Sequence, residues 1–177
     1  MGRIFSLRGK LNLIDNQNTV NHSIFDYVSP DRARAWKILT AHVWPVDVVA
    51  INADDGFMCF QAALATDAGK FQSANLSDPS ENRFCGWAQQ TYNTRDGATN
   101  YITPNGVALH DMAMLLDPDT VVTKELYLNI CNTSDIDSNK DRDWGYLIVL
   151  EEMRISPSES LFQQIKGMGQ DVTALGS

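Results

Sequence analysis

The chain has 177 residues, of which 44% are hydrophobic and 20% charged, and its formal net charge is −8. A chain of this length and composition forms one globular domain rather than a disordered or membrane-spanning protein, so we predict a single domain over residues 1–177 and no membrane partner. Fourteen basic residues against 22 acidic ones leave no basic face for phosphates, which argues against direct nucleic-acid binding.

The acidic residues are mostly aspartate. The sequence contains 17 Asp but only 5 Glu, together with 13 Asn. Asp and Asn favour turns, because their short side chains hydrogen-bond to nearby backbone, whereas Glu favours helix. This bias argues against a helical bundle and predicts many turns between short strands.

Strand patterns recur along the chain, with turn signals between them. Asn52 to Gly56 and the Asp96-Gly97 pair read as hairpin loops, and residues 66–82 read as a long surface loop. The apolar run 107–116 fits either a strand or a helical segment. The predicted strands cover residues 3–14, 22–28, 35–44, 46–51, 57–65, 83–92, 101–103, 120–131 and 144–155.

Three of these strands carry clear face assignments. In the strand 120–131, Leu126, Leu128 and Ile130 face one way, whereas Tyr127, Asn129 and Cys131 face the other. The run 146–150 is continuously apolar, which predicts a central strand buried on both faces. Strict alternation in the strand 35–44 predicts one face made of Trp36, Ile38, Thr40, His42 and Trp44.

One helix is predicted, over residues 156–169, followed by a loose tail over 170–177. Ser156 is the expected N-cap, Pro157 suits the first helical position, and Glu159 follows three residues after the cap. An apolar stripe on this helix is a candidate interface, although packing on the chain's own sandwich is the favoured interpretation of it. The stripe consists of Leu161, Phe162, Ile165 and Met168.

Catalytic and metal-binding motifs do not emerge from the sequence. The three histidines are scattered, and the three cysteines are far apart among apolar neighbours, which suits buried thiols in a reducing compartment. Residues 135–141 alternate oxygen-bearing side chains, but the Gly and Glu of an EF-hand are missing, so a solvated loop is favoured over a looser calcium site. We therefore predict no enzyme activity, no cofactor and no metal.

Aromatic residues raise a second hypothesis. Trp87, Tyr92 and Tyr101 are candidates for stacking on a sugar, as in jelly-roll lectins, so a glycan is a potential partner. Ordinary core and subunit-interface roles are the favoured alternative for these side chains.

Several segments resemble small structural proteins encoded by viruses of marine bacteria and archaea. The similar segments are residues 3–9, Leu116 to Val122, Tyr146 to Glu152, and the end of the helix through Gly169 to Val172. The resemblance implies a virion or assembly component and brings no catalytic residues.

Together these patterns predict an all-β fold: an antiparallel β-sandwich, jelly-roll-like, with one short C-terminal helix. The expected function is that of a viral structural protein, as a capsid, vertex or decoration component. Such a protein would be made in the host cytoplasm, self-associate as a homo-oligomer of undetermined number, and dock on other virion proteins. The alternative is a lectin-like module of a tail or fibre that recognises host glycans.

Overall fold

The computed structural model describes residues 2–13, 21–27, 33–46, 57–69, 71, 76–93, 103–104, 113–132 and 142–168. Within these residues lie ten strands and one helix. They are β1 Ile4–Leu13, β2 His22–Asp26, β3 Arg34–Pro45, β4 Phe57–Ala65, β5 Phe84–Asn93, β6 Thr103–Pro104, β7 Leu115–Leu116, β8 Val121–Val122, β9 Glu125–Asn132, β10 Arg142–Arg154 and α1 Pro157–Met168.

The strands form two antiparallel sheets. The first sheet has the order β1-β10-β3-β8 and the second has the order β2-β9-β4-β5-β6, with β7 also paired to β5. Strands β6 and β7 only extend the second sheet beyond β5, and without them eight strands remain. Counted one to eight along the chain, these strands have the order 1-8-3-6 in the first sheet and 2-7-4-5 in the second. The antiparallel pairs β1·β10, β2·β9, β3·β8 and β4·β5 are therefore nested inside one another along the chain. This is the strand order of a jelly roll, which confirms the predicted fold class.

Most predicted strands appear within one or two residues of their expected bounds, and β4 coincides with the prediction. The predicted strand 120–131 is in fact two strands, because β8 ends at Val122 in the first sheet and β9 begins at Glu125 in the second. Four predicted segments lie wholly or partly outside the described residues. They are the strand 46–51 beyond Val46, most of the strand 101–103, residues 107–112 of the apolar run, and the alternating segment 135–141.

The predicted alternation of β3 is wrong beyond Ile38. Ile38 pairs with Leu150 of β10 and Thr40 pairs with Val149, so Leu39 is an extra residue in the ladder. Such a β-bulge reverses the faces of every residue that follows it. As a result Trp36 and Ile38 point inward before the bulge, and Ala41 and Val43 point inward after it.

The main core lies between the two sheets. Phe60 of β4 stacks on Trp144 of β10, with ring centroids 4.3 Å apart, and neither side chain is exposed. Because β4 and β10 belong to different sheets, this pair joins the two layers. Strand β10 is central, as predicted, but only its inner face is fully buried, since Leu147 and Val149 on its outer face are half-buried.

The second sheet also buries much of its outer face. The predicted faces of β9 are confirmed: Leu126, Leu128 and Ile130 enter the main core, and Tyr127 and Cys131 pack in a separate cluster. That cluster, the outer cluster, consists of Ala63, Ala65, Leu76, Phe84 and Cys131, with Phe71, Trp87 and Tyr127 packed against it.

Aspartates stabilise turns at two described positions. Asp78 Oδ1 accepts a hydrogen bond from the backbone N–H of Ser80 at 2.8 Å, and Asp117 Oδ1 accepts one from that of Asp119 at 3.0 Å. These are the local side-chain turns that the excess of Asp over Glu predicts.

Candidate functional site

Helix α1 begins as predicted from its capping residues. The backbone N–H of Glu159 donates to Ser156 Oγ at 3.2 Å, and the N–H of Ser160 donates to the Ser156 carbonyl at 3.0 Å. Ile155, just before the cap, is buried in a small cluster with Ala35 and Val121, and this contact anchors the start of α1 to the first sheet.

The apolar stripe of α1 faces solvent. Leu161 is 56% exposed, Phe162 is 66% exposed and Ile165 is 51% exposed, whereas the small polar Ser160 is buried. The favoured interpretation, that the stripe packs on its own sandwich, is therefore wrong for these three side chains. The side chain of the fourth predicted member, Met168, lies outside the described residues. The stripe remains a predicted interface, and its exposure leaves it accessible to another molecule.

The predicted stacking aromatics are only partly described. Trp87 on β5 is half-buried and packs against the outer cluster, so it is not a fully exposed platform. The side chain of Tyr92 and the whole of Tyr101 lie outside the described residues. A ligand-stacking role for the three aromatics therefore stays a prediction.

Two polar side chains, Gln61 and Asn129, share the outer face of the second sheet with Trp87. Ala63 of β4 pairs with Trp87 on one side and with Asn129 of β9 on the other, so all three lie in one row across the sheet. Gln61 lies two residues before Ala63 on β4 and points to the same face. The alternation of the sequence predicts Asn129 on this face, but no sequence motif indicates a role for it or for Gln61.

The connection between β4 and β5 is fixed to the sheet at its base. Glu81 accepts two hydrogen bonds from the Arg83 guanidinium, each at 2.8 Å. The guanidinium of Arg83 also lies 4.7 Å from the ring centroid of Phe71, and Thr66 N–H donates to the Arg83 carbonyl at 2.9 Å. Phe71 in turn contacts Phe84, so the described part of this connection is an ordered cover rather than only a solvated loop.

Protonation of Glu81 is expected to weaken this cover. The hydrogen bonds from Arg83 lower the pKa of Glu81 below its ordinary value of 4.5, against the opposing effect of partial burial. A lowered pKa in the folded state stabilises the protein above pH 4.5, and this stabilisation is lost as the pH falls through the lowered pKa. Glu81→Gln should therefore flatten the loss of stability on acidification below that pH.

The measurement is urea unfolding of wild type and Glu81→Gln at a series of acidic pH values, with Glu159→Gln on α1 as the matched control. The control should follow the wild-type pH dependence. Parallel curves for wild type and Glu81→Gln would contradict the contribution of the Glu81–Arg83 pair.

Other chemistry-bearing residues do not converge in the described part of the chain. His42 is half-buried on β3, and His110 lies outside the described residues. Among the described residues, no group of three His, Cys, Asp or Glu side chains could hold a metal ion. No helix in the same residues is long and apolar enough to cross a membrane.

Comparison with known proteins gives structural neighbours only. No family model matches the chain, and no curated protein matches it. Among solved structures, apo VP1 of chimpanzee polyomavirus is 7% identical, with a TM-score of 0.46, and the match covers 85% of this chain and 96% of that one. VP1 of Trichodysplasia spinulosa-associated polyomavirus in complex with 3'-sialyllactose is 10% identical, with a TM-score of 0.40 and coverage of 85% and 94%. Both neighbours are viral capsid proteins. Because these sequence identities and TM-scores are low, the jelly-roll assignment rests on the strand order of the chain itself and not on these neighbours.

Proposed function

We propose that this chain is a viral structural protein, a capsid, vertex or decoration component that self-associates and docks on other virion proteins. The observation that carries the proposal is a jelly roll whose described helix turns its apolar stripe to solvent. Jelly rolls build viral shells as well as lectins, and a contiguous exposed apolar patch marks a protein-binding surface. Segments of the chain resemble proteins from viruses of marine bacteria and archaea, so the proposed source of the chain is such a virus.

The position of α1 supports a role in assembly. Its first turn is held to the first sheet through Ile155 and the buried Ser160, while Leu161, Phe162 and Ile165 project away. Burying one such side chain contributes about 1.5–3 kcal/mol, so a neighbour that covers all three would gain substantial binding energy. Cys85 and Cys131 are buried as thiols rather than as disulfides, which agrees with folding in the host cytoplasm before assembly.

Replacing the stripe with Leu161→Ser, Phe162→Ser and Ile165→Ser together is expected to abolish self-association while the sandwich stays folded. Light scattering on a sizing column should give a multiple of 19.7 kDa for wild type and 19.7 kDa for the variant. Circular dichroism should give the same strand signal for both. Deletion of residues 157–177 should behave like the triple variant.

The matched control changes three exposed apolar residues outside the helix: Leu39→Ser, Val46→Ser and Leu115→Ser. This control should assemble like wild type. A wild-type protein that stays monomeric at every concentration, or a helix variant that still assembles, would contradict the proposal. Electron microscopy of the assembled protein would separate closed shells from small vertex or decoration oligomers.

A lectin-like module of a tail or fibre is the second candidate. The observation that favours it is the half-buried Trp87 on the outer face of the second sheet, because an indole ring is suited to stacking on a sugar ring. A glycan array tests it directly. Absence of binding to any glycan would remove this candidate and leave the assembly role unaffected.

A further inference from the structure

An indole ring lies flat against a glycine on the outer face of the first sheet. Trp44 of β3 and Gly145 of β10 are opposite one another in the strand pairing. A Cβ atom built on Gly145 would lie 2.7 Å from Cε2 of Trp44 and 2.9 Å from each of its bonded neighbours Cζ2 and Nε1. Beside the edge of the ring these two neighbours would be closer than Cε2 itself. One face of the indole therefore rests on Gly145.

The other face of this indole is directed away from the sheet. Trp44 is half-buried, and because Gly145 covers the inner face of the ring, the exposed part of the side chain lies on the opposite face and the rim. Lys10 of β1 is the second neighbour of Gly145 across the sheet, and its side chain is 58% exposed. The surface around the ring is therefore open to solvent.

Three polar side chains form a hydrogen-bonded group beside the indole. Asp143 accepts hydrogen bonds from Lys10 Nζ at 2.5 Å and from Asn12 Nδ2 at 2.8 Å. Asp143 lies two residues before Gly145 on β10, which places it about 7 Å along the strand from the glycine under the ring. Asn12 is exposed, and the side chain of Asp143 is 22% exposed. The group is therefore within reach of a molecule that rests on the indole.

This polar group offers both donors and acceptors. Hydrogen bonds from Asn12 and Lys10 lower the pKa of Asp143 below its ordinary value of 3.8, so the carboxylate is ionised at neutral pH. An ionised carboxylate accepts strong hydrogen bonds, whereas the ammonium of Lys10 donates and the amide of Asn12 does both. The charges of Lys10 and Asp143 cancel each other.

A flat apolar surface beside a mixed polar group defines the class of ligand. A pyranose ring has one face made of C–H groups, which suits an aromatic ring, and a rim of hydroxyls that donate and accept. A nucleobase also stacks on an indole, but its phosphate would meet a chain with a net charge of −8. The combination therefore favours a sugar over a nucleotide.

We propose that a pyranose sugar binds on the outer face of the first sheet, with its C–H face on Trp44 and its hydroxyls hydrogen-bonded to Asp143 and Lys10. Here Trp44, Gly145, Lys10, Asn12 and Asp143 together are called the platform site. The inference rests on the glycan-binding candidate and names the place where the sugar binds. The platform site is independent of the apolar stripe on α1, and it lies in a different sheet from Trp87.

The test is a saturation-transfer NMR titration of the full chain with the methyl glycosides of glucose, galactose, mannose and N-acetylglucosamine. We expect at least one of them to bind wild type. Trp44→Ala removes the stacking surface and should abolish this binding, whereas Trp44→Tyr retains a ring and should keep part of it. Asp143→Asn keeps the side-chain shape but removes the charge, and it should weaken binding about tenfold or more.

Glu125→Gln is the matched control for Asp143→Asn. Lys124 and Glu125 also form an ion pair, at 2.7 Å, and their side chains are 65% and 21% exposed, close to the values for Lys10 and Asp143. Glu125 belongs to β9 in the second sheet, so its replacement should leave sugar binding at the wild-type level. Circular dichroism of every variant checks that the sandwich is folded.

Absence of saturation transfer from all four glycosides to wild type would overturn the platform site and leave Trp44 only as a cover for Gly145. Each glycan that is positive on an array is then measured with Trp44→Ala and Asp143→Asn. If both variants bind it normally, the glycan-binding function stands and the platform site fails. If the array is also negative, both fail.

Discussion

Trp144→Ala is expected to lower the free energy of unfolding by about 3–5 kcal/mol, the largest effect of any substitution considered for this protein. Trp144 is completely buried and stacks on Phe60 at 4.3 Å, and this stack crosses from one sheet to the other. Truncation removes the apolar contact and leaves a cavity that the rigid strands on either side cannot close. The two layers then lose part of the contact that holds them together.

Urea unfolding followed by tryptophan fluorescence and by circular dichroism measures this change. The matched control is Trp44→Ala, because the half-buried Trp44 lies over Gly145 on the outer face of the same sheet. Trp44→Ala should lower the free energy of unfolding clearly less than Trp144→Ala, because the side chain of Trp44 is only half-buried. Equal losses for the two variants would show that the Phe60–Trp144 stack does not join the sheets as described.

Asn129→Leu is expected to raise the free energy of unfolding by about 1–3 kcal/mol, an unusual direction for a substitution at a buried position. Both amide atoms of Asn129 are buried without a partner, so the folded state bears the desolvation cost of this amide without a compensating hydrogen bond. Leucine has nearly the same shape and removes that cost.

Thermal and urea unfolding test the sign of this effect. Asn12→Leu, at an exposed asparagine on β1, is the control: Asn12 Nδ2 donates to Asp143 Oδ1 at 2.8 Å, so its replacement should leave stability unchanged or slightly lower. A clear loss of stability in Asn129→Leu would mean that the amide already has a structural partner, such as a tightly held water. In that case the folded state would not bear the uncompensated desolvation cost that the prediction assumes.

The fold was largely predictable from the sequence because its signals are local. The β4 pattern ends at turn residues, and the Ser156 cap with Pro157 fixes the start of α1, so both elements appear where expected. The bulge at Leu39 was not predictable, because nothing in the alternation of β3 marks the extra residue. Only its partner strand, far away along the chain, reveals the shift between Val149 and Leu150.

The candidate sites were less predictable, because they too depend on how segments far apart in the sequence pack together. Helical spacing identified the stripe of Leu161, Phe162 and Ile165, but spacing does not say which side of a helix meets the sheet. The row of Trp87, Ala63 and Asn129 depends on the pairing of three strands, and Asn129 stands out in the sequence only as a polar residue within an apolar strand. That signal alone is too common to indicate a site.

The nested strand order has a consequence for how the protein folds. β1 pairs with β10 along ten residues, so the earliest strand of the first sheet finds its neighbour only after all the other described strands have left the ribosome. Contacts between such distant segments slow folding, and β1 would remain an unpaired, aggregation-prone strand during synthesis. β4 and β5 are consecutive strands and pair with each other, so this pair can form as soon as β5 has been synthesised. We therefore expect the second sheet to begin folding while the nascent chain is still growing, and the first sheet to close last.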